Sequence, residues 1–171
     1  MRLPLGVCDV RSWRPTDAAA IVAHANNRKI WLNLRDRFPH PYTRRDARAF
    51  LASVVGARPE TSFAIEVDGG VVGGIAFRVQ TDVERIGAEL GYWLGEAYWG
   101  RGITTAAVRA VTDLALGGHD LRRVFALPFA QNAASARVLE KAGFTLEGVL
   151  RSSALKDGRV LDQLLYARIR A

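Results

Sequence analysis

The segment from Glu89 to Leu127 constrains the fold more than any other part of this chain. It reads as a strand through Gly91-Tyr92-Trp93-Leu94, then the loop Trp99-Gly100-Arg101-Gly102-Ile103-Thr104-Thr105. A helix to about Leu116 follows, and a short apolar strand at 123–127. A strand–helix–strand run of this length implies a right-handed crossover and parallel pairing of its two strands. The glycine-bracketed loop offers main-chain N–H groups with few side chains in the way, at the positive end of a helix dipole. Such a loop can seat a phosphate or diphosphate. Glycine also serves plain tight turns, so the pair takes its meaning from the rest of the chain.

Around this unit the pattern predicts a first strand over 5–13, broken by Arg14-Pro15-Thr16-Asp17. Thr16 or Asp17 can cap a helix to about Asn26. Residues 27–42 read as irregular and rich in aromatics, Pro and His. Thr43-x-x-Asp46 is a capping-box start for a second helix ending near Gly56. Strands at 63–67 and 71–79 flank the turn Asp68-Gly69-Gly70, and a further strand covers about 83–94. A helix at 133–142 stops at Gly143, and two last strands, 144–155 and 159–168, turn at Lys156-Asp157-Gly158. The expectation is an α/β (α+β) fold forming a single domain over 1–171, with a mixed, mostly antiparallel sheet flanked by helices.

Composition narrows the function classes. At 171 residues, 49% apolar and 24% charged, the chain reads as one soluble globular domain. No apolar run reaches the roughly 20 residues of a membrane span. No long apolar segment follows the first residues, so no signal peptide is expected and the location reads as cytoplasmic. The lone Cys8 excludes an internal disulfide and reads as a small core residue. The net charge is +7, and only Lys29, Lys141 and Lys156 among the 24 basic residues are lysine. Attraction to a polyanion is one reading and arginine-favouring codons the other. The arginines are spread along the chain without interleaved aromatics, so no nucleic-acid partner and no membrane partner is expected. His24, His40 and His119 lack ligand spacing, and no metal is expected.

The order of elements and several motifs resemble the GNAT acetyltransferase superfamily, closest to its RimJ/RimL-like branch. The matching pieces are Glu89-Leu90-Gly91-Tyr92-Trp93-Leu94, Trp99-Gly100-Arg101-Gly102-Ile103-Thr104-Thr105, Asn132-Ala133-Ala134-Ser135 and Val138-Leu139-Glu140-Lys141-Ala142-Gly143-Phe144. Glu147-Gly148, Leu165-Tyr166-Ala167-Arg168, Arg11-Ser12-Trp13-Arg14-Pro15-Thr16-Asp17 and Phe38-Pro39-His40-Pro41-Tyr42 extend it over nearly the whole chain. The resemblance implies a seven-stranded sheet whose parallel strands four and five splay apart, with about four helices. It implies acetyl-coenzyme A as donor and a primary amine as acceptor, with a homodimer as an allowed assembly. Main-chain groups of Tyr92, Trp93 and Leu94 are then expected to hold the pantetheine arm. Trp99, Gly100, Arg101, Gly102, Ile103, Thr104 and Thr105 are expected around the diphosphate. The sequence departs from the family pattern with Thr104 and Ala106, which leaves the amide cradle intact.

Further along, the resemblance assigns Asn132 to the pantetheine amide and Ser135 to protonation of the departing thiolate. Helix N-capping and helix packing are their structural alternatives. Arg137 can reach a cofactor phosphate. Glu89 is the candidate general base, and partnership with an arginine is its alternative. Tyr166 is a second candidate acid or else a core residue. Arg151-Ser152-Ser153-Ala154 offers no second carboxylate. Trp31, Asp36, Phe38 and Tyr92 are expected to wall the acceptor pocket.

An α-amine with pKa about 7.7–8.0 is roughly a tenth or more neutral at pH 7, whereas a lysine is neutral only a few times in ten thousand. The expected activity is therefore transfer to a protein N-terminal α-amine. Small-molecule amines or antibiotics are alternative acceptors, and a non-catalytic acyl-coenzyme A sensor is an alternative role.

Overall fold

A computed structural model describes all residues, 1–171. The chain forms two compact units, residues 1–76 with 92–107, and residues 77–91 with 108–171. Eight strands follow the order β1-β2-β3-β4-β5-β6-β8-β7. They are β1 (Arg2–Pro4), β2 (Asp9–Ser12), β3 (Ser62–Val67), β4 (Gly70–Val79), β5 (Gly87–Leu94), β6 (Arg123–Ala126), β7 (Thr145–Lys156) and β8 (Arg159–Ile169). β5 and β6 pair in parallel on either side of the α4 crossover, as the strand–helix–strand order requires. Their ladder covers Gly87↔Arg123 to Glu89↔Phe125, and β5 then runs on to Leu94 past its pairing with β6.

In the first unit, α1 (Ala18–Ala25), α2 (Arg28–Trp31) and α3 (Arg44–Val54) accompany β1–β3. The α3 start is the expected capping box: Thr43 Oγ1 accepts from the Asp46 amide, and the Asp46 carboxylate accepts from the Thr43 amide. Ile21, Ala25, Ala47 and Leu51 close a core with Trp13, Tyr42, Ala64 and Val71. Burying Ile21, Leu51 or Val71 contributes about 1.5–3 kcal/mol each by leaving water. Below this core lies a buried ionic group that local sequence patterns do not reveal. The Arg11 guanidinium is shared between Asp17 (2.9 Å) and Glu66, and all three residues are under a tenth exposed.

In the second unit, α4 (Ile103–Gly118), which begins in the first, buries Val108, Val111 and Ala115 at helical spacing. α5 (Ala133–Lys141) buries Leu139, and β8 buries Tyr166 and Ala167.

Several sequence expectations need correction. The strand expected over 5–13 shortens to Asp9–Ser12, because Gly6 at φ +81° turns the chain and lets Arg2–Pro4, outside the expected range, pair with it as a further strand. That extra strand makes eight rather than seven, so the parallel strands four and five are β5 and β6. Residues 27–42 contain one helical turn, α2, whose N-cap is the Asn27 side chain. β5 starts at Gly87, because 82–84 form a 3₁₀ turn. α4 continues through Gly117 and Gly118 instead of stopping before them. Asp17 makes no cap bond to α1; its carboxylate accepts from the Arg14 amide and from Arg11.

Candidate functional site

The end of β5 and the start of α4 are joined by a loop built from two successive turns. Gly95 leads into a 3₁₀ turn, Glu96–Tyr98, in which the Tyr98 and Trp99 amides donate back to Gly95 and Glu96 oxygens. Gly100 (φ +75°) and Gly102 (φ +76°) then take left-handed conformations on either side of Arg101. At both, a Cβ would meet no protein atom within 4 Å. Glycine is therefore demanded here by backbone conformation and not by protein packing, and the space over the turn is open. The first amides of α4, from Ile103 to Thr105, have no intrahelical acceptor. Open space, left-handed glycines and unpaired helix-start amides form a cradle that suits a diphosphate, so these residues fit the group that the resemblance implies.

The loop is braced from below. The Trp99 indole N–H donates to Leu94 O at 2.8 Å, tying the loop to the strand end. Glu96 accepts from Asn27 Nδ2 (2.8 Å) and pairs with Lys29 Nζ, which together hold its carboxyl below the ordinary value. His24 lies 2.8 Å from where a Gly95 Cβ would stand and meets the Tyr98 ring edge-on at 5.6 Å. The Arg101 guanidinium lies over the other side of this arrangement, 5.2 Å from the Tyr98 ring centre.

Two glycines unassigned by sequence reasoning shape the strand end. A Cβ at Gly73 would lie 2.5 Å from Trp93 O, and one at Gly74 would lie 2.8 Å from Trp93 Nε1 and 2.9 Å from Trp13. Their side-chain absence lets Trp93 and Leu94 approach β4. The double glycine inside an apolar strand was the available signal.

The four residues expected to wall the acceptor pocket, Trp31, Asp36, Phe38 and Tyr92, lie within the same unit. Phe38 packs between Tyr42 (4.9 Å) and Trp93 (5.8 Å), while Trp31 stands against His40 at 5.7 Å. Asp36 is exposed in the loop before Phe38, and Tyr92 is half-buried.

The second unit carries the remaining candidates. Glu89 is the last rung of the parallel ladder, and its carboxylate accepts from Arg78 Nη2 at 2.7 Å. Asn132 is the α5 N-cap, accepting from the Ser135 amide at 3.1 Å. Ser135 is half-buried and Arg137 exposed on α5. Tyr166 is a buried strand residue whose hydroxyl donates to Glu140 Oε1 at 2.8 Å, and burial followed by that carboxylate raises its pKa.

A family model described as an acetyltransferase (GNAT) domain matches residues 9–145. The chain belongs to this family. Over 80 residues it is 45% identical to the probable N-acetyltransferase YjcK of Bacillus subtilis, covering 47% of this chain and 44% of that one. Over 82 residues it is 37% identical to the ribosomal-protein-serine acetyltransferase of Escherichia coli, covering 48% and 46%. The chain thus spans about half the length of these curated relatives. The solved structure of Mycobacterium smegmatis RimJ in complex with a coenzyme A disulfide superposes with a TM-score of 0.83 at 28% identity, over 98% of this chain and 84% of that one. The fold is the GNAT fold, with its parallel pair at β5 and β6. No helix is long and apolar enough to cross a membrane.

Proposed function

We propose that this protein transfers an acetyl group from acetyl-coenzyme A to a primary amine, the preferred acceptor being a protein N-terminal α-amine. The observation that carries this reading is the pair of left-handed glycines at the α4 start, with open space where side chains would be. Related proteins support the chemistry: the matched relatives are named acetyltransferases, one acts on a ribosomal protein by its name, and the RimJ structure holds a coenzyme A disulfide.

When bound, acetyl-coenzyme A supplies an acetyl group activated as a thioester. Amides 100–105 and the Arg101 guanidinium hold the diphosphate, and main-chain groups of Tyr92, Trp93 and Leu94 hold the pantetheine arm. An α-amine, roughly a tenth or more neutral at pH 7, needs only modest help from a base. Glu89 takes the amine proton through water, its carboxylate oriented by the Arg78 guanidinium. Ser135 Oγ gives a proton to the leaving sulfur, and the Asn132 cap fixes the backbone that carries Ser135. Phe38 and Tyr92 wall the amine's approach. Positioning supplies much of the rate, since two held reactants gain a large effective molarity.

The test is mass spectrometry of peptides with a free α-amine and an internal lysine, incubated with enzyme and acetyl-coenzyme A. Acetylation at the α-amine with release of free thiol is the expected result. Thiol release only with small amines would move the acceptor to that class. Cofactor binding without thiol release on any amine would make the protein a sensor.

A further inference from the structure

Seven of the 24 basic residues fall between positions 28 and 48, against only Asp36 and Asp46. This segment is also the one that carries Trp31, Phe38, His40 and Tyr42. Arg35, Arg37, Arg44, Arg45 and Arg48 are all exposed. Elsewhere, Arg2, Arg11, Arg78, Arg123 and Arg168 are each paired with a carboxylate, and Arg58, Arg137, Arg151, Arg159 and Arg170 are exposed but spread singly along the chain. Arg37, Arg44 and Arg48 lie in no ion pair, and the charge that Arg45 meets is that of its neighbour Asp46.

Arg44 and Arg45 also stand in the first turn of α3, the helix end where cations are disfavoured. Helix stability therefore gives no reason for them. Arg37, Arg44 and Arg48, exposed and outside any ion pair, stand with Arg45 on the same stretch of chain as these aromatic residues, and such a charge is complementary to an anionic chain.

We propose that these arginines dock the acidic residues that follow the acceptor amine, so the preferred acceptor is a polypeptide with carboxylates shortly after its first residue. This rests on the reading that the aromatic wall receives the amine. Nucleic acid fits less well, because it would need free ring faces for base stacking. Phe38 is taken up between Tyr42 and Trp93, and Trp31 carries His40 and the Arg28 guanidinium at 5.9 Å.

The experiment compares three peptides sharing one first residue, with Glu-rich, Ser-rich or Lys-rich positions after it, on the wild type and on Arg44→Gln/Arg45→Gln/Arg48→Gln. The Glu-rich peptide is expected to exceed the Ser-rich one in kcat/KM by on the order of tenfold at low salt, mostly through KM, falling to about twofold at roughly 0.5 M salt. The triple variant should lose most of that ratio while keeping the thermal shift that coenzyme A gives, which shows its fold and donor site intact. Equal kcat/KM for Glu-rich and Ser-rich peptides would overturn the docking surface and leave the acetyltransferase reading standing. So would a preference that survives the triple substitution, or an oligonucleotide that displaces the Glu-rich peptide at equal concentration. If no peptide is acetylated, fluorescence titration with the Glu-rich peptide still decides the matter: binding that the triple variant loses supports the surface, and absence of binding overturns it.

Discussion

The Trp99 indole N–H and the Leu94 main-chain oxygen are joined by a 2.8 Å hydrogen bond, although Trp99 itself is 44% exposed. A large aromatic ring is thus kept partly in water to fasten the last residue of β5 to the loop that starts α4. The bond fixes where the left-handed pair Gly100 and Gly102 stands relative to the Trp93–Leu94 backbone. Those two features are the proposed seats of the diphosphate and the pantetheine arm.

Trp99→Phe keeps the ring but removes the donor. The bond is present without cofactor and is worth about 0.5–1.5 kcal/mol of stability, so the unfolding midpoint should fall by roughly 1–6 °C. Coenzyme A affinity should fall as well, because the loop is no longer fastened to the end of β5. Isothermal titration with paired thermal melts measures both.

Arg11→Met leaves the buried Asp17 carboxylate without its cation and Glu66 with only the exposed Arg2 at 3.0 Å. Breaking such a group costs about 3–5 kcal/mol. Urea unfolding of the variant and the wild type at pH 7 gives the comparison.

Burial, with a smaller push from Asp9, raises the Cys8 thiol to about 11, and its sulfur faces Ile103 O at 4.0 Å. The native thiol should resist a disulfide reagent at pH 8 and react fully in urea. The unfolded chain releases this proton near 9, so the Cys8 contribution to stability is intact below that pH. It is lost as pH rises toward 11, which melts between pH 8 and 11 will register.

Ser135→Ala should lower kcat by roughly 100-fold or more, the range for general acid catalysis, with little change in coenzyme A affinity. Tyr166→Phe should instead lower stability by about 1 kcal/mol, the value of its bond to Glu140, and keep most of the turnover. Stopped thiol-release assays with melts of both variants distinguish the two roles.

What the sequence made legible was local chemistry. Thr43 and Asp46 cap α3 through side chains three residues apart, and Asp68-Gly69 turns β3 into β4 with both residues at positive φ. The glycine loop was equally plain, because left-handed residues before a helix leave a composition signature. Contacts made across long stretches of chain were not legible. Arg11 meets Glu66 from 55 positions away, Glu96 takes partners at Asn27 and Lys29, and Gly95 is shaped by His24. No periodicity encodes such pairs. Asn132 shows the remaining gap: its residue type suits a cofactor contact and a helix cap alike, and the capping bond to Ser135 is the one the fold displays.

The central claim is that the turn at Gly100 and Gly102 seats coenzyme A, and one matched pair of variants tests it. Gly102 and Gly56 share φ +76° and open surroundings, so alanine at either site carries the same left-handed strain. With coenzyme A at about 100 times its Kd, wild type and Gly56→Ala should each gain roughly 5–10 °C in Tm. Gly102→Ala should gain less than about half of that, its methyl standing where phosphate oxygens must approach. Equal gains in all three proteins would contradict the account.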